Sequence, residues 1–434
     1  MAMVKVASWG RLVNAEHDLV ALSGRDNTPA LLARTRPAIA IGNGRSYGDQ
    51  CLNPNGTLWD ARFLDRFVSF DAATGRLVCE PGVLLRDIHH LVVKQGWQLP
   101  VTPGTQLITV GGAIANDVHG KNHHVEGTFG EHVLAITLVR TDGQVLALSR
   151  TWEPGLFTAT IGGMGLTGVI TLVELQLKPL TTAYLETEQV AFTDLETFFS
   201  MADASEADWE HTVAWIDCST RYRGRGIFQR ARAAADGDLA MPASQQRRVP
   251  LVPPLSCINR MTLGPLCSGY YALQAKKQGT RRQHFADFLY PLDNILDWNR
   301  LYGPKGFYQY QCVVPREGGE STVQDMLQTL ARHQAGSFLS VLKTFAEREA
   351  AGMLSFPAAG VTLAMDFPNR GKRTLALLDA LDTIVGRVGG RLYAAKDARM
   401  SADFFRAGYL QVDAFLEYRD PGISSAMSRR LFGH

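Results

Sequence analysis

The sequence predicts an α+β protein with two domains, and three observations support this prediction. The chain has 434 residues, 46% of them hydrophobic, which is enough for two or three domains that each have a core. The first third contains short β-rich runs separated by Gly, Pro and Asp, which is typical of sheet structure. After Pro179, strand and helix patterns alternate, and this order predicts an antiparallel sheet covered by helices.

The first third is predicted to contain several short strands and one helix. The Asp142-Gly143 pair predicts a tight hairpin between two of the strands. Apolar residues at helical spacing predict a short helix from Val83 to Trp97. The predicted strands cover residues 38–41, 76–79, 133–140, 144–148 and 168–177.

The pattern after Pro179 predicts longer elements. Helices are predicted where apolar residues recur at helical spacing, at 194–204, 323–332 and 373–388. Strands are predicted at 212–217, 307–315 and 360–367. Together these elements predict a layered domain with a sheet on one side and helices on the other.

Positive charge is concentrated in one segment. The formal net charge is +2, yet residues 221–282 contain twelve Lys and Arg against two Asp. Pro, Gly and Ser are frequent there, which predicts a mobile, solvated loop over about 230–282. The segment lacks heptads, zinc-ligand spacing and RNP-like motifs, so we expect no nucleic-acid partner. An anionic small molecule or an anionic lipid surface fits the charge at least as well.

The cysteines and the N-terminal residues bear on the compartment. Six cysteines without a Cys-x-x-Cys pair predict reduced thiols rather than a disulfide framework or a zinc site. The N-terminal residues lack an apolar h-region, and no run of about 18 apolar residues occurs, so we expect neither a secretion signal nor a membrane span. These features predict a cytoplasmic protein, or one that lies peripherally at the membrane or cell envelope.

Three glycine-rich stretches lie in the first 170 residues. The first, Ile41–Asp49, follows a predicted strand, and its glycines would let backbone N–H groups close on a diphosphate. The second covers residues 103–120. The third, Gly163–Gly168, matches Gly-x-Gly-x-x-Gly, but a strand rather than a helix follows it. A Rossmann nicotinamide site is therefore not expected.

Three histidines crowd the end of the second stretch, at His119, His123 and His124. The first two have a spacing that could place two imidazoles on one helix face for a metal ion. Lys121 lies between them, and no carboxylate completes the ligand set except that of distant Asp117, so we expect a ligand-contacting polar loop and no metal. A purely structural, hydrogen-bonded loop is the alternative for His123 and His124.

Taken together, these stretches resemble the FAD-dependent oxidases of the vanillyl-alcohol-oxidase superfamily, whose FAD domain is of the p-cresol-methylhydroxylase type. Within that superfamily they are most similar to the decaprenylphosphoryl-β-D-ribose 2-oxidases. The match spans nearly the whole chain in order, which is far more specific than any single motif. The matching stretches are residues 42–49, 117–124, 163–168, 308–311 and 389–397.

The resemblance implies a two-domain α+β flavoprotein. Residues 1–183 would form an FAD-binding domain of the p-cresol-methylhydroxylase type, and residues 184–388 a substrate-binding domain made of an antiparallel sheet and helices. Residues 389–434 would return to the FAD domain. The implied cofactor-binding residues are Ala40, Ile41, Gly42, Asn43, Gly44, Arg45, Ser46, Tyr47, Gly48, Asp49, Gly104, Thr109, Val110, Gly111, Gly112, His119, Gly120, Lys121, Asn122, Ile170 and Tyr393.

The resemblance also implies a reaction. The flavin would accept a hydride from C2 of a polyprenyl-phosphoryl ribose, and a separate NAD(P)H-dependent short-chain reductase would complete an epimerisation to arabinose. Lys396 is the first candidate for the base, with a lowered pKa, and equally a candidate phosphate anchor; His119 is the second candidate base. The implied catalytic residues are Lys396, His119 and Tyr47, and the implied substrate-binding residues are Lys121, Gln309, Gln311 and Lys396.

Two departures from the family pattern refine these expectations. Sugar-alcohol and aldonolactone oxidases of the superfamily have a His that bonds covalently to the flavin, and Arg45 occupies that position here, so noncovalent FAD is expected. Ala364 occupies a position where the best-known relatives have a Cys, so no catalytic thiol is expected. The alternative functions are an FAD oxidase of a soluble sugar, alditol or aldonolactone, and a basic, non-catalytic binding module.

Overall fold

The computed structural model describes residues 3–219, 224–241 and 246–433. It has the predicted α+β class, because helices are combined with sheets that are mainly antiparallel. Residues 220–223 and 242–245, which include part of the basic segment, lie outside the described residues. Among the helices that are described, none is both long and apolar enough to cross a bilayer.

Two sheets form the N-terminal part of the molecule. In the first, β1 and β2 are antiparallel, while β4 runs parallel to both β2 and β3. Its strands are β1 (Met3–Ala7), β2 (Asn14–Ala21), β3 (Ala38–Ile41) and β4 (Thr57–Asp60). The second sheet is antiparallel in the order β5-β6-β10-β8-β9, and it contains the hairpin predicted at Asp142-Gly143. Its strands are β5 (Phe67–Asp71), β6 (Arg76–Cys79), β8 (Val133–Val139), β9 (Val145–Ser149) and β10 (Val169–Gln176).

Short helices connect these strands. The predicted helix is present as α2, with Leu85, Ile88 and Val92 buried at helical spacing. It ends earlier than predicted, because a 3₁₀ turn follows it and leads to Gly96 at φ +80°, a left-handed conformation that stops the helix. The helices are α1 (Thr28–Thr35), α2 (Leu85–Val92), α3 (Val110–Ala115), α4 (His123–Glu126) and α5 (Pro154–Thr160). A small sheet joins β7 (Trp97–Gln98) to β11 (Lys178–Pro179).

An eight-stranded antiparallel sheet forms the second part, with the order β16-β12-β14-β13-β19-β20-β18-β21. It contains all three strands that the sequence predicts after Pro179. Its strands are β12 (Tyr184–Phe192), β13 (His211–Ile216), β14 (Gly226–Ala233), β16 (Gly279–His284), β18 (Phe307–Val314), β19 (Ser340–Phe345), β20 (Gly360–Pro368) and β21 (Arg391–Leu392).

Helices cover one face of this large sheet. They are α6 (Leu195–Asp203), α9 (Gly319–Arg332) and α10 (Lys372–Arg387), which confirms the three predicted helices. Tyr310, Leu342 and Leu363 point from the sheet into the core that these helices share. Since successive strand residues point to opposite faces, the neighbouring residues of the same strands point away from the helices. That second face forms part of the cavity described below.

The basic segment is more ordered than predicted. The prediction of a loop over 230–282 is wrong for β16, which pairs with β12, and for α7 (Arg260–Ala275). Pro265 lies inside α7 and obscures its helical pattern, while the polar residues of β16 suit an edge strand. The remaining elements nearby are α8 (Phe285–Leu289) and the parallel pair β15 (Arg247–Arg248) and β17 (Ile295–Leu296).

The C-terminal segment contacts both parts of the molecule. β21 pairs with β18 in the large sheet, and the following helices are α11 (Ala402–Gly408), α12 (Val412–Tyr418) and α13 (Ala426–Phe432). Asp420 is buried, and its carboxylate accepts hydrogen bonds from the backbone N–H of Thr141 at 2.7 Å and from the Thr141 hydroxyl at 2.5 Å. The backbone N–H of Ser424 donates a hydrogen bond to the carbonyl of Ala38 in the first sheet.

We predict that Asp420→Ala destabilises the protein by about 3 kcal/mol, because three buried donors, two on Thr141 and one on Gly422, lose their acceptor. Urea unfolding followed by tryptophan fluorescence measures the change. Asp413→Ala is the control, since that carboxylate is exposed and pairs with exposed Arg406, and a change within about 0.5 kcal/mol is expected. Equal effects of the two substitutions would contradict this account.

Candidate active site

A cavity of about 350 Å³ lies between the first two glycine-rich stretches and the face of the large sheet that points away from α6, α9 and α10. Four parts of the chain that are distant in sequence contribute to its walls. These parts are residues 42–47, 102–121, 289–298 and 393–396, together with side chains of β18, β19 and β20. The cavity therefore forms only where both parts of the molecule and the C-terminal segment meet.

The first wall is the loop that follows β3. Asn43 donates a hydrogen bond of 2.7 Å to the carbonyl of Leu107, which fastens this loop to the second glycine-rich stretch. A Cβ atom on Gly42 would collide with the Thr109 side chain, so these two segments of the chain approach as closely as glycine permits. Gly44 has φ +62° and nothing within 4 Å of its Cβ position, so its backbone is open on that side.

The second wall includes the start of α3. The Thr109 hydroxyl caps this helix by accepting from the N–H of Gly112. Asn116, the residue at the C-terminal end of α3, also lines the cavity, and its buried Oδ1 atom has no hydrogen-bond partner among the residues that the structure describes. Glycine backbone and an unpartnered amide oxygen leave polar groups available to a bound molecule.

The third wall is set by the register of the large sheet. Gln309 and Gln311 are two residues apart on β18 and point to the same face. Gln311 pairs with Ala364 of β20, and Thr362 of β20 pairs with Lys343 of β19. The pairing therefore aligns these side chains on the cavity face, and all five line it.

Two buried lysines, Lys121 and Lys343, line the cavity and acquire a proton readily only near neutral pH or below. Burial and the charges of Lys121 and Lys396 lower the pKa of Lys343 to about 7, and burial lowers the pKa of Lys121 to about 7. Lys343 Nζ donates to the carbonyl of Gly120 at 2.8 Å. Lys121 Nζ donates to the carbonyls of Phe288 and Leu289, the second at 3.2 Å.

His119 is held between two side chains of the large sheet. Its Nε2 atom lies 3.0 Å from Gln311 Nε2, and its Nδ1 atom lies 3.3 Å from Lys343 Nζ. Burial, followed by the charge of Lys343, lowers the pKa of His119 well below its ordinary value. The imidazole is therefore neutral at pH 7, and both ring nitrogens have partners.

Lys396 is stacked on Tyr47, with Nζ 4.0 Å from the ring centroid. Burial lowers the pKa of Lys396 and raises the pKa of Asp366, the nearby carboxyl whose Oδ1 accepts a 2.6 Å bond from Gln309. Burial also raises the pKa of Tyr47. An amine whose pKa is lowered can lose its proton near neutral pH and then accept one from a bound molecule.

The structure brings most of the residues implied by the sequence resemblance into this cavity. Those that line it are Gly42, Asn43, Gly44, Arg45, Ser46, Tyr47, Gly104, Thr109, Gly112, His119, Gly120, Lys121, Gln309, Gln311, Tyr393 and Lys396. Eight others are placed outside its lining, namely Ala40, Ile41, Gly48, Asp49, Val110, Gly111, Asn122 and Ile170.

The residues outside the lining have structural contacts instead. A Cβ on Gly48 would collide with the carbonyl of Asp397, and Asp49 forms an ion pair of 2.8 Å with Arg430. Asn122 donates to the carbonyl of Pro100. These residues therefore contribute to the cavity only by holding the neighbouring backbone in place.

Sequence reasoning missed several cavity residues. Lys343 is the main one; it lies at a buried position of the strand Ser340–Phe345, and no local sequence motif marks it. Trp9 is another, and the Arg45 guanidinium lies 4.3 Å from its ring centroid. Thr362 and Asp293 also line the cavity and carry no local motif.

These walls fit an FAD molecule. The glycine backbone after β3 is open for a diphosphate, and two buried polar atoms at the cavity, Asn116 Oδ1 and Gln309 Oε1, have no hydrogen-bond partner in the described part of the chain. Residues 30–149 match the model of the FAD binding domain family. This match covers the first two glycine-rich stretches.

Curated relatives extend the match over the whole chain. A decaprenylphosphoryl-β-D-ribose oxidase from Mycolicibacterium smegmatis is 35% identical over 98% of this chain and 97% of its own length. The chain belongs to the decaprenylphosphoryl-β-D-ribose oxidase family. This oxidase is therefore an FAD-dependent oxidoreductase that acts on a CH–OH group.

Two further relatives show how similarity is distributed along the oxidase. An uncharacterized protein in the mprA 5′ region of Streptomyces coelicolor is 34% identical over 80% of this chain and 100% of its own length. L-Gulonolactone oxidase of Mus musculus is 28% identical, over only 39% of each chain. Similarity to the latter enzyme is thus confined to a minor part of the oxidase.

The lowered pKa of Lys343 predicts a pH-dependent stability. Between pH 7 and the ordinary lysine pKa, the unfolded chain binds a proton at this residue that the folded protein lacks, so stability rises with pH. From pH 7 to 9, we expect the FAD-loaded oxidase to gain about 2 kcal/mol relative to Lys343→Met. Urea midpoints at both pH values measure this gain, and exposed Lys305→Met is the control. Parallel pH profiles of the oxidase and Lys343→Met would contradict the prediction.

Proposed function

We propose that this oxidase converts the C2 hydroxyl of a polyprenyl-phosphoryl ribose to a ketone. The observation that carries the proposal is the single cavity in which three buried lysines meet the amides of Gln309 and Gln311. Amides orient sugar hydroxyls, and lysine ammonium groups attract a phosphate. When bound, FAD supplies the acceptor for the hydride that leaves C2.

The hydroxyl proton needs a separate acceptor, and Lys396 is the residue we assign to it. Burial favours its neutral amine, and its neighbours are Tyr47, which lines the cavity, and the buried carboxyl of Asp366, which does not. His119 is the less suitable base, because both of its ring nitrogens already have partners. We assign His119 the role of holding Gln311 and Lys343 in place.

We assign the phosphate to the two lysines that lie beside His119. Lys343 and Lys121 each donate to backbone carbonyls and retain further N–H donors. An anion bound here favours their protonated forms, because an opposite charge raises a lysine pKa. Phosphate binding would thereby offset the cost of burying the two amines.

We propose that FAD is held without a covalent bond. Arg45 follows Gly44 in the loop that closes on the diphosphate, and its guanidinium stacks on Trp9. A guanidinium remains protonated in proteins and is a poor nucleophile, so it offers no covalent attachment to the flavin. The ketone product would be reduced from the other face by a separate NAD(P)H-dependent short-chain reductase, which completes an epimerisation.

We further propose that an anionic lipid surface presents the substrate. Leu255 and Leu251 are 79% and 76% exposed, and they belong to a segment that packs on residues 295–303. Arg247 pairs there with Ile295, a residue at the edge of the active-site cavity. Exposed leucines beside arginines are the composition that favours insertion into an anionic bilayer interface.

Anaerobic flavin spectra test the proposed reaction. A polyprenyl-phosphoryl ribose should bleach the oxidised flavin at least 100-fold faster than free ribose or L-gulonolactone does. Lys396→Met should slow bleaching by 10²- to 10⁴-fold with little change in substrate affinity if Lys396 is the base. Exposed Lys305→Met is the matched control and should bleach normally. Bleaching by the lactone but not by the lipid-linked sugar would favour the soluble-substrate alternative.

Vesicle flotation tests the proposed membrane contact. Leu251→Ser/Leu255→Ser should reduce binding to phosphatidylglycerol-containing vesicles at least fivefold, since two apolar side chains lose their burial in the interface. Leu410→Ser is the control, because Leu410 is 90% exposed but lies in the C-terminal segment. If both variants bind vesicles as the unmodified oxidase does, the membrane surface lies elsewhere or is absent.

A further inference from the structure

A second cavity, of about 490 Å³, lies apart from the flavin cavity and shares none of its lining residues. It is bounded by the start of α7, the turn after α9, the end of β20 and the start of α10. Nothing in the proposed oxidation uses it. Its floor and its rim have opposite chemical character.

The floor of the second cavity is apolar. Its buried side chains come from α7 and the residues just before it, from α10, and from the end of β20. They are therefore fixed by the core of the large sheet rather than by a surface loop. They are Ile258, Leu263, Phe367, Pro368 and Leu377. A floor of this kind accepts the hydrocarbon part of a ligand.

The rim carries three guanidinium groups, those of Arg260, Arg370 and Arg373. No Asp or Glu lines the cavity, and within the described residues none of the three arginines forms an ion pair with a carboxylate. The rim therefore holds three positive charges that the surrounding protein does not neutralise.

Two of these guanidinium groups are drawn together by one neutral acceptor. Arg260 and Arg373 both donate to Oε1 of Gln334, Arg373 at 3.4 Å, and Arg373 also donates to the carbonyl of His333 at 3.1 Å. Like charges held this close repel each other, and an anion placed between them removes the repulsion. A guanidinium group can donate two parallel hydrogen bonds to two oxygens of a phosphate.

The two helices add to the positive potential. α7 and α10 each have 16 residues, and both contribute residues of their first two turns to the cavity. α10 begins after Gly371 and has no side-chain cap, although the N–H of Thr374 donates to the carbonyl of Gly371; the start of α7 is capped by the Asn259 side chain. Helix N-termini favour anions.

We infer that this second cavity binds a phosphate or diphosphate monoester that carries an apolar group. The three arginines would hold the phosphate, and the buried floor would hold the apolar group. The inference does not depend on which sugar the oxidase acts on. Both a lipid headgroup and a free phosphomonoester have this chemistry.

Calorimetric titration of the FAD-loaded oxidase tests the inference. Farnesyl phosphate, AMP and farnesol are the titrants, and the flavin spectrum is recorded in parallel to separate binding in the flavin cavity. Arg370→Gln/Arg373→Gln should weaken phosphate binding at least tenfold with unchanged flavin content and spectrum. Arg387→Gln is the matched control, since it removes a charge from the same helix about 21 Å away and should bind as the unmodified oxidase does.

The titrants distinguish the two sources of ligand. If farnesyl phosphate binds more tightly than AMP, the natural ligand is a lipid headgroup. If AMP binds at least as tightly as farnesyl phosphate, the ligand is a free phosphomonoester. Both outcomes support the site. If farnesol binds as tightly as farnesyl phosphate, the inference is overturned, because the arginines would then contribute nothing to the binding affinity. No binding by either phosphate at millimolar concentration, or equal affinity in the double variant and Arg387→Gln, would also overturn it.

Discussion

The active site depends on one constraint, the register of three adjacent strands in the large sheet. β18, β20 and β19 are paired so that Gln311 lies beside Ala364, Gln309 beside Asp366, and Thr362 beside Lys343. A shift of one residue in any of these strands would exchange its two faces. The amides and the lysine would then enter the core beneath the helices, and Tyr310 and Leu363 would enter the cavity. Packing of the helices on the opposite face therefore keeps the polar side chains where the chemistry needs them.

Burial gives the cavity its reactivity as well as its shape. Lys343 and Lys121 lie in surroundings that disfavour a charged amine, and neither has an ion-pair partner within the described residues. Such sites are unfavourable for folding alone but favourable for binding an anion, because the ligand supplies the missing charge. The second cavity achieves positive potential differently, with exposed arginines at its rim and apolar side chains below. The two cavities therefore suit different ways of holding a phosphate.

Much of this structure could be predicted from the sequence where local chemistry decides it. The Asp142-Gly143 turn, the apolar periodicity of α9 and the glycines around Gly44 each carry their own signal. The recognised motifs also led to His119 and Lys396, which lie about 280 residues apart in the chain yet line one cavity.

Other features could not be predicted from local sequence patterns. Lys343 belongs to no motif, and its role follows only from its pairing with Thr362. Gly48 and Gly111 stand in or beside the cofactor motifs, but they are needed where the chain passes close to Asp397 and Pro81, and glycine serves both purposes equally well. In the basic segment, Pro265 inside α7 and the polar strand β16 suppress the usual signs of regular structure.

The return of the C-terminal segment has a consequence for biosynthesis. Tyr47 emerges early from the ribosome, whereas Lys396, which stacks on its ring, follows only after the whole large sheet has been translated. A nascent chain that stops before residue 396 lacks one wall of the flavin cavity even if its N-terminal sheets have already folded. The complete cavity therefore requires a nearly full-length chain, because it joins residues that lie far apart in sequence.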